Sequence, residues 1–167
     1  MCKRFSICEI EQPLSWVAEA IQAEGGTALG IACDVLSRAS LEQSREQIAN
    51  AFGQVDNLIN AAGGNSSATT TSTEQSFFDL DAETINYVFG LNCTGTLQSC
   101  QVFGRGMAER GQGCIVNVTS MSALRPLTRV PAYGAAKAAV ANFTQWLTVH
   151  MAQEYSPAIL VKIYSRI

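Results

Sequence analysis

The sequence predicts an α/β domain built on a doubly wound parallel sheet. Apolar runs alternate with segments of helical periodicity along most of the chain. Several of the apolar runs are continuous, which is typical of strands in a parallel sheet that is covered on both faces. Polar residues follow three of these runs, at Asp34, Asn60 and Ser120. Because ligands bind at the carboxyl ends of the strands in such sheets, these positions predict a binding site.

Five short, largely apolar runs predict the strands. Their continuous apolar character distinguishes them from the longer segments between them, in which apolar residues recur at helical spacing. In chain order they lie at residues 4–8, 28–35, 55–59, 113–119 and 159–164.

Four longer segments place apolar residues at helical spacing and predict helices. The first ends at Gly25-Gly26, a common C-terminal signal, and the second has Ser37 or Ser40 as its candidate N-cap. Gly90 and Gly95 are expected to interrupt the third. In chain order the segments lie at residues 14–23, 36–52, 82–110 and 132–155. A loop rich in serine and threonine occupies residues 64–75, and a second loop occupies residues 120–131.

Size and charge narrow the class of function. A chain of 167 residues predicts a single domain, residues 1–167. Charged residues make up 15% of the chain, below the usual share of about 25%, which suggests that part of the surface is covered by another subunit. The net charge is −3 and the basic residues are scattered, which argues against nucleic acid or an anionic membrane as a partner.

The cysteine pattern argues against a metal site and against a disulfide framework. None of the six cysteines forms a CxxC pair, and none lies beside the only histidine, His150. We therefore expect a reducing, cytoplasmic compartment. The N-terminus lacks the apolar segment of a signal peptide, and no apolar run reaches the ~20 residues that a membrane-spanning helix needs.

Ser120, Tyr133 and Lys137 form a candidate catalytic set. Lys137 follows Tyr133 by four residues, so both side chains share one face of the predicted helix. A nearby cation favours the phenolate, which brings a tyrosine with an ordinary pKa of about 10 into the range of acid/base catalysis. Ser120 ends a predicted strand and could donate a hydrogen bond to a substrate oxygen. Alone, the Tyr133–Lys137 pair could equally be a surface pair on an amphipathic helix.

Five motifs occur in an order and at spacings that resemble the short-chain dehydrogenase/reductase family. The motifs lie between Cys33 and Lys137, and the resemblance as a whole covers about residues 14–161. The pair Tyr-x-x-x-Lys is a weak motif alone, whereas five ordered motifs are specific. They are Cys33-Asp34-Val35, Asn60-Ala61-Ala62-Gly63, Leu91-Asn92, the run 115–120 and the pair Tyr133 and Lys137.

The resemblance implies a Rossmann-like, three-layer fold and an oxidoreductase that uses NAD or NADP on a secondary alcohol or a ketone. In that family Tyr133 would be the general acid/base, and Lys137 would lower its pKa and hydrogen-bond the nicotinamide ribose. Ser120 would bind the reacting oxygen. Asn92 would hold a water molecule in a proton relay that reaches Lys137.

The resemblance also implies the residues that contact the cofactor. Asp34 would hydrogen-bond the adenine, with Val35 adding a backbone contact. The run Asn60-Ala61-Ala62-Gly63 would line the cofactor and fix the centre of the sheet. A glycine suits this position because the backbone must approach the nucleotide closely.

Three further segments resemble a subgroup described as mannonate (fructuronate) oxidoreductases, which implies a sugar acid or a polyol as substrate. Arg125 and Arg129 fit this substrate class, because a guanidinium binds a carboxylate in a bidentate way. Both lie in the loop between Ser120 and Tyr133. The three segments are residues 75–80, 125–129 and 142–146.

The sequence departs from the family pattern at both ends. The family's first strand and its glycine-rich turn, Thr-Gly-x-x-x-Gly-x-Gly, are absent, and residues 162–167 replace the family's Asn-Ala-x-x-Pro-Gly. That turn holds the pyrophosphate, so we expect this chain to be a fragment that binds dinucleotide poorly. The alternative function is a catalytically inert piece that acts, at most, in oligomerisation. In either case the family suggests a homo-oligomer formed through the two long helices.

Several site residues have a structural alternative. Asp34 could be the N-cap of the following helix, and Asn92 could merely kink its helix near Gly90. Arg125 and Arg129 could be solvated or could contact another subunit.

Overall fold

The computed structural model describes residues 4–9 and 15–166, with side chains from 16 to 165. Strands and helices alternate as predicted, although the predicted start of the first helix, Leu14, lies outside the described residues. The strands are β1 (Arg4–Glu9), β2 (Thr27–Ala32), β3 (Asn57–Asn60), β4 (Gly113–Ser120) and β5 (Ile159–Arg166). The α-helices are α1 (Ser15–Ala23), α2 (Arg38–Phe52), α3 (Ala82–Phe89), α4 (Gly95–Arg110) and α5 (Pro131–Glu154).

Side-chain hydrogen bonds set the start of α2. The Ser37 hydroxyl accepts from the Ser40 backbone N–H at 3.3 Å, so Ser37 is the N-cap. The Ser40 hydroxyl instead accepts from the Asp34 backbone N–H at 2.9 Å. Of the two candidate caps, Ser37 is therefore confirmed, and the alternative in which Asp34 caps this helix is wrong.

The predicted helix at residues 82–110 is interrupted where its glycines predict. A π-helical segment, Gly90–Thr94, separates α3 from α4. The Gly95 backbone N–H donates to the Gly90 carbonyl, which is the i→i+5 bond of a π turn. Such π segments are rare and often occur at functional sites. Asn92 lies at the centre of this one.

The strands pair in parallel, as predicted, in two sheets. The first sheet pairs β1 with β2, and the second has the order β3-β4-β5. Between residues 15 and 166, and in the strand that precedes them, no backbone ladder joins the two sheets. Helix α4 connects them instead, because its side chains contribute to both hydrophobic clusters. One cluster contains Ile31, Cys33, Leu41, Ile48, Val102 and Phe103, and the other contains Cys100, Met107, Ile115, Leu147, Met151, Ile159 and Val161.

The expectation of cover on both faces is wrong for the second sheet in the part that the structure describes. Ile115 and Val161 are buried against α4 and α5, whereas alternate residues are half-buried in β4 and exposed in β3 and β5. Ile59 is 67% exposed and Tyr164 is 58% exposed. The reason is that both long helices pack against the same face. Among the described residues, no helix combines the length and the apolar character that crossing a membrane requires.

Candidate active site

The candidate catalytic residues come from the carboxyl end of β4 and the first turns of α5. Ser120 is the last residue of β4, and Tyr133 and Lys137 lie on consecutive turns of α5. Pro131 begins that helix, where its missing N–H and its fixed φ cost nothing. The loop between the two elements includes a short 3₁₀ turn, Met121–Ala123. The sequence thus brings a strand end and a helix start together through one short connection.

Lys137 is buried beneath the ring of Tyr133. Its side chain is 3% exposed, and Nζ lies 5.7 Å from the centroid of the Tyr133 ring. Nζ donates to the Val118 carbonyl at 3.0 Å. Burial lowers the pKa of the Lys137 ammonium from its ordinary 10.5, because the charged form loses solvation. An ammonium has three N–H donors, so two remain for other acceptors once the bond to Val118 is counted.

Ser120 is oriented by its own turn. Its hydroxyl oxygen accepts from the Ser122 backbone N–H at 3.2 Å, which makes Ser120 the N-cap of the 3₁₀ turn. Because this bond uses the oxygen as an acceptor, the hydroxyl proton stays available for donation. The arrangement suits a residue that donates to an oxygen of a bound molecule. The contribution of Ser122 is a backbone contact that no sequence motif indicates.

Asn92 is fully buried and ties the π segment to the turn after β3. Its Nδ2 donates to the Gly64 carbonyl at 2.7 Å and to the Val88 carbonyl at 2.8 Å. Its Oδ1 accepts from the Gly64 backbone N–H at 3.2 Å. Both amide protons are therefore engaged, and the side chain has no free N–H with which to hold a water molecule. The backbone carbonyl of Asn92 accepts from the Thr96 hydroxyl at 2.8 Å.

Gly63 packs closely against Asn92 and Lys137. A Cβ at this position would overlap Asn92 Oδ1 and would lie 3.1 Å from Lys137 Nζ. The φ of Gly63 is 155°, a value that favours glycine. The neighbouring Ala61 and Ala62 are exposed, so the turn forms an accessible surface beside the buried ammonium.

We expect Gly63→Ala to lower the free energy of unfolding by about 1–3 kcal/mol, because it adds backbone strain and displaces Asn92. Chemical denaturation measures this change. Gly64→Ala is the matched control, since a Cβ on Gly64 meets no atom within 4 Å. Equal stability of Gly63→Ala and Gly64→Ala would contradict the steric role of Gly63.

A buried polar network holds the elements that carry the site. Asn60 Nδ2 donates to Asn117 Oδ1 at 2.8 Å, and Asn117 Nδ2 donates to the Thr144 hydroxyl at 2.9 Å. The Cys100 thiol lies between the two amides, 3.3 Å from Asn60 Nδ2 and 3.6 Å from Asn117 Oδ1. Burial raises the pKa of the Cys100 thiol to about 12, so it stays protonated. The Asn60 side chain thus links β3 and β4 to α4 and α5.

Asp34 stabilises the turn that follows β2. Its Oδ1 accepts from the Leu36 backbone N–H at 2.8 Å, and the Ser37 backbone N–H donates to its carbonyl at 3.1 Å. These bonds end β2 at Ala32, earlier than the predicted residue 35. The carboxylate lies at the carboxyl end of the first sheet, as the sequence predicts.

Arg125 and Arg129 lie in the connection between β4 and α5, and both are exposed. Arg129 has a φ of 73°, and its carbonyl accepts from the Thr71 backbone N–H at 2.9 Å. Arg125 lines a cleft of about 290 Å³ against the first turns of α5. Other residues that line this cleft include Ser122, Leu127, Val130, Gly134 and Ala138. Ser120, Tyr133 and Lys137 do not line this cleft.

The profile of the short chain dehydrogenase family matches residues 2–163. The chain belongs to this family. An uncharacterized oxidoreductase, UxuB, of Bacillus subtilis (strain 168) is 47% identical over 145 residues, which are 82% of this chain and 52% of the relative. The chain spans about half the length of the curated relatives it matches.

Two solved structures of similar proteins resemble the fold. The first, from Haemophilus influenzae, is provisionally assigned as a D-mannonate oxidoreductase and holds NAD. It has a TM-score of 0.87 and 33% identity, covering 98% of this chain and 70% of that protein. The second is a variant of actinorhodin polyketide ketoreductase with NADPH. It has a TM-score of 0.84 and 28% identity, covering 96% of this chain and 59% of that protein. These likenesses confirm the Rossmann-like α/β fold class.

Proposed function

We propose that this short-chain dehydrogenase chain carries the proton-handling part of an NAD(P)-dependent oxidoreductase that interconverts a secondary alcohol and a ketone. The observation that supports this proposal most strongly is the buried Lys137 ammonium. Its Nζ lies 5.7 Å from the centroid of the Tyr133 ring, beside the turn that contains Gly63. A buried cation next to a phenol is the arrangement that acid/base chemistry by a tyrosine requires. The proposed domain is a single NAD(P)-binding unit, residues 1–167.

The residues of this chain divide the work on the substrate oxygen. Ser120 donates its hydroxyl proton in a hydrogen bond to that oxygen, because its own oxygen already accepts from Ser122. Tyr133 removes the hydroxyl proton during alcohol oxidation and returns it during ketone reduction. Lys137 places its ammonium beside the phenol ring. Because Asn92 has no free side-chain N–H, its backbone carbonyl is the group we propose for the water of the relay.

The residues beside Lys137 fit the sugar and base of NAD or NADP. Two N–H donors of Lys137 are left for ribose hydroxyls, and the exposed Ala61 and Ala62 leave the neighbouring turn accessible. We assign Asp34 and Val35 to the adenine, and Ala61, Ala62 and Gly63 to contacts along the dinucleotide. Asn60 is assigned an indirect role, since its side chain faces the core. When bound, the nicotinamide supplies or accepts the hydride.

We propose a sugar acid or a polyol as the small-molecule substrate. The support is the likeness to the Haemophilus influenzae protein that is provisionally assigned as a D-mannonate oxidoreductase, together with the two exposed arginines between β4 and α5. Arg125 lines the cleft against the first turns of α5, the helix that carries Tyr133, and we propose it as the first carboxylate partner. Arg129 contributes its carbonyl to the Thr71 contact and serves as the second guanidinium.

Arg125→Leu should raise KM for a sugar acid about tenfold or more and leave KM for an uncharged polyol within about twofold, because only the former loses a charged hydrogen bond. Arg129→Leu should have a smaller effect on KM. Steady-state kinetics with both substrate types measures the difference. An equal rise in KM for the acid and the polyol would remove the carboxylate role of Arg125.

A second candidate function is an interaction role without turnover. The exposed face of α5 favours it, because Trp146 is 56% exposed and stacks on His150 with ring centroids 4.8 Å apart. A homo-oligomer formed through α4 and α5 would cover this surface. Such association is compatible with catalysis, whereas an inert protein would show association alone.

Cys33, Cys93, Cys100 and Cys114 are free thiols, and we propose a cytoplasmic location on that basis.

The two functions are separated by a direct assay. Purified protein is incubated with D-mannonate, other sugar acids and polyols, each with NAD⁺ and with NADP⁺, and formation of the reduced nicotinamide is followed by absorbance. The proposed oxidoreductase produces reduced nicotinamide with at least one alcohol. Absence of turnover, together with a stable oligomer in sedimentation, would favour the interaction role.

A further inference from the structure

The turn after β2 packs against the two glycines that bound the π segment. A Cβ on Gly95 would lie 2.8 Å from Val35 Cγ2 and 3.2 Å from Val35 Cβ. A Cβ on Gly90 would lie 3.4 Å from Leu36 Cδ2, which is the end of a flexible side chain. Protein interiors do not absorb an overlap such as that at Gly95 without movement. Val35 therefore fits into a space that exists only because residue 95 is a glycine.

The turn that presents Val35 is held on both sides. The Asp34 carboxylate accepts from the Leu36 backbone N–H at 2.8 Å, and the Asp34 backbone N–H donates to the Ser40 hydroxyl at 2.9 Å. Val35 thus cannot move away from Gly95 without breaking bonds at the start of α2.

The opposite side of the π segment faces the catalytic region. Asn92 lies three residues before Gly95 and makes three hydrogen bonds, two of them to Gly64. A π turn inserts one residue into the helical ladder, and such a turn persists where its neighbours hold it in place. Val35 therefore contacts Gly95, the backbone of the π segment joins Gly95 to Asn92, and Asn92 binds Gly64 in the turn beside Lys137.

We propose that Val35 and Gly95 are positioning residues, which fix the π segment so that Asn92 holds the Gly63–Gly64 turn against Lys137. Their catalytic significance rests on the proposed function, whereas their effect on the turn does not. The resemblance gave Val35 only a backbone contact to the adenine. The structure gives its side chain a separate task.

The test changes the size of the side chains at positions 35 and 95 and measures amide hydrogen exchange. Gly95→Ala should speed exchange of the Gly64 amide about tenfold relative to the Ile115 amide in β4, because Asn92 is displaced. Alanine is the better helix former by about 1 kcal/mol, so propensity alone predicts the opposite change in stability. The double variant Val35→Ala with Gly95→Ala removes the overlap and should restore slow exchange at Gly64. Gly104→Ala is the control on the same helix, since its Cβ would meet Ile115 Cδ1 at 3.4 Å and Met151 Cε at 3.6 Å.

Three results would overturn the proposal. They are unchanged exchange at Gly64 in Gly95→Ala, an equal acceleration at Gly64 and Ile115, and failure of the double variant to restore Gly64. Should Gly95→Ala not fold, Val35→Ala alone leaves a gap at Gly95 and should speed Gly64 exchange about threefold relative to Ile115. Once turnover is established, kcat should fall in Gly95→Ala with KM for the cofactor unchanged and should recover in the double variant. Altered exchange in a protein without turnover would sustain the positioning role and reject the proposed function.

Discussion

Tyr133→Phe should lower kcat about 10²–10⁴-fold, the range that a positioned general acid/base contributes. The substitution removes one oxygen and keeps the ring that lies beside Lys137. The fold and the surface around Gly63 are therefore expected to stay intact. Cofactor Kd should change by less than about twofold, because the contacts we assign to Lys137 and Gly63 remain.

The measurement pairs steady-state kinetics with a cofactor titration followed by nicotinamide fluorescence. Tyr155→Phe is the matched control, because Tyr155 lies at the end of the same helix, is exposed and has no assigned role. The control should keep full turnover. Turnover in Tyr133→Phe equal to that of Tyr155→Phe would remove Tyr133 from the mechanism.

Lys137→Met should lower kcat about 10²-fold or more and weaken cofactor binding, because it removes the buried charge and the donors assigned to the ribose. Methionine fills a similar volume, so packing under Tyr133 is retained. Lys162→Met is the control, since Lys162 is an exposed lysine of β5. It should keep turnover. Equal loss in both variants would mean that lysine removal acts on the fold and not on the site.

The difference in stability between the wild type and Lys137→Met should also depend on pH. Burial lowers the pKa of folded Lys137 below the 10.5 of the unfolded chain, so the unfolded chain binds more protons between these two values. The free energy of unfolding of the wild type, minus that of Lys137→Met, should therefore rise with pH through this window and level off above 10.5. Urea denaturation at a series of pH values measures the difference. A difference that falls with pH would contradict a lowered pKa.

The sequence predicts the local geometry of the candidate site well, because the information it needs is local. The spacing from Ser120 to Tyr133 requires one strand end, one short loop and one helix start, and the structure contains these three elements. The four-residue spacing to Lys137 then fixes the shared helix face. Nothing beyond helical geometry is needed for that prediction.

The π segment and the buried polar network are harder to predict from the sequence. Gly90 and Gly95 indicate an interruption, but a kink and a π turn have the same glycine signal. Asn117 lies in an apolar run. It is two residues from the buried Ile115, so both side chains lie on the face of β4 that packs against the helices. Its partner Thr144 is 27 residues away, a pairing that arises only when α5 packs on β4.

The open face of the second sheet was not predictable for a different reason. Alternation of strands and helices fixes the layer order but does not say which face each helix covers. The continuous apolar character of several strands predicts cover on both faces, whereas Tyr164 is open to solvent in the described residues.

We propose that Tyr133 transfers the substrate proton and that the nicotinamide transfers the hydride. The most direct test supplies a keto sugar acid with NADH or NADPH deuterated at the transferable position and locates the label by mass spectrometry. We predict one deuterium on the new alcohol carbon with the wild type and with Tyr155→Phe, and no labelled product above background with Tyr133→Phe. An alcohol product without deuterium, or full labelling by Tyr133→Phe, would contradict the claim.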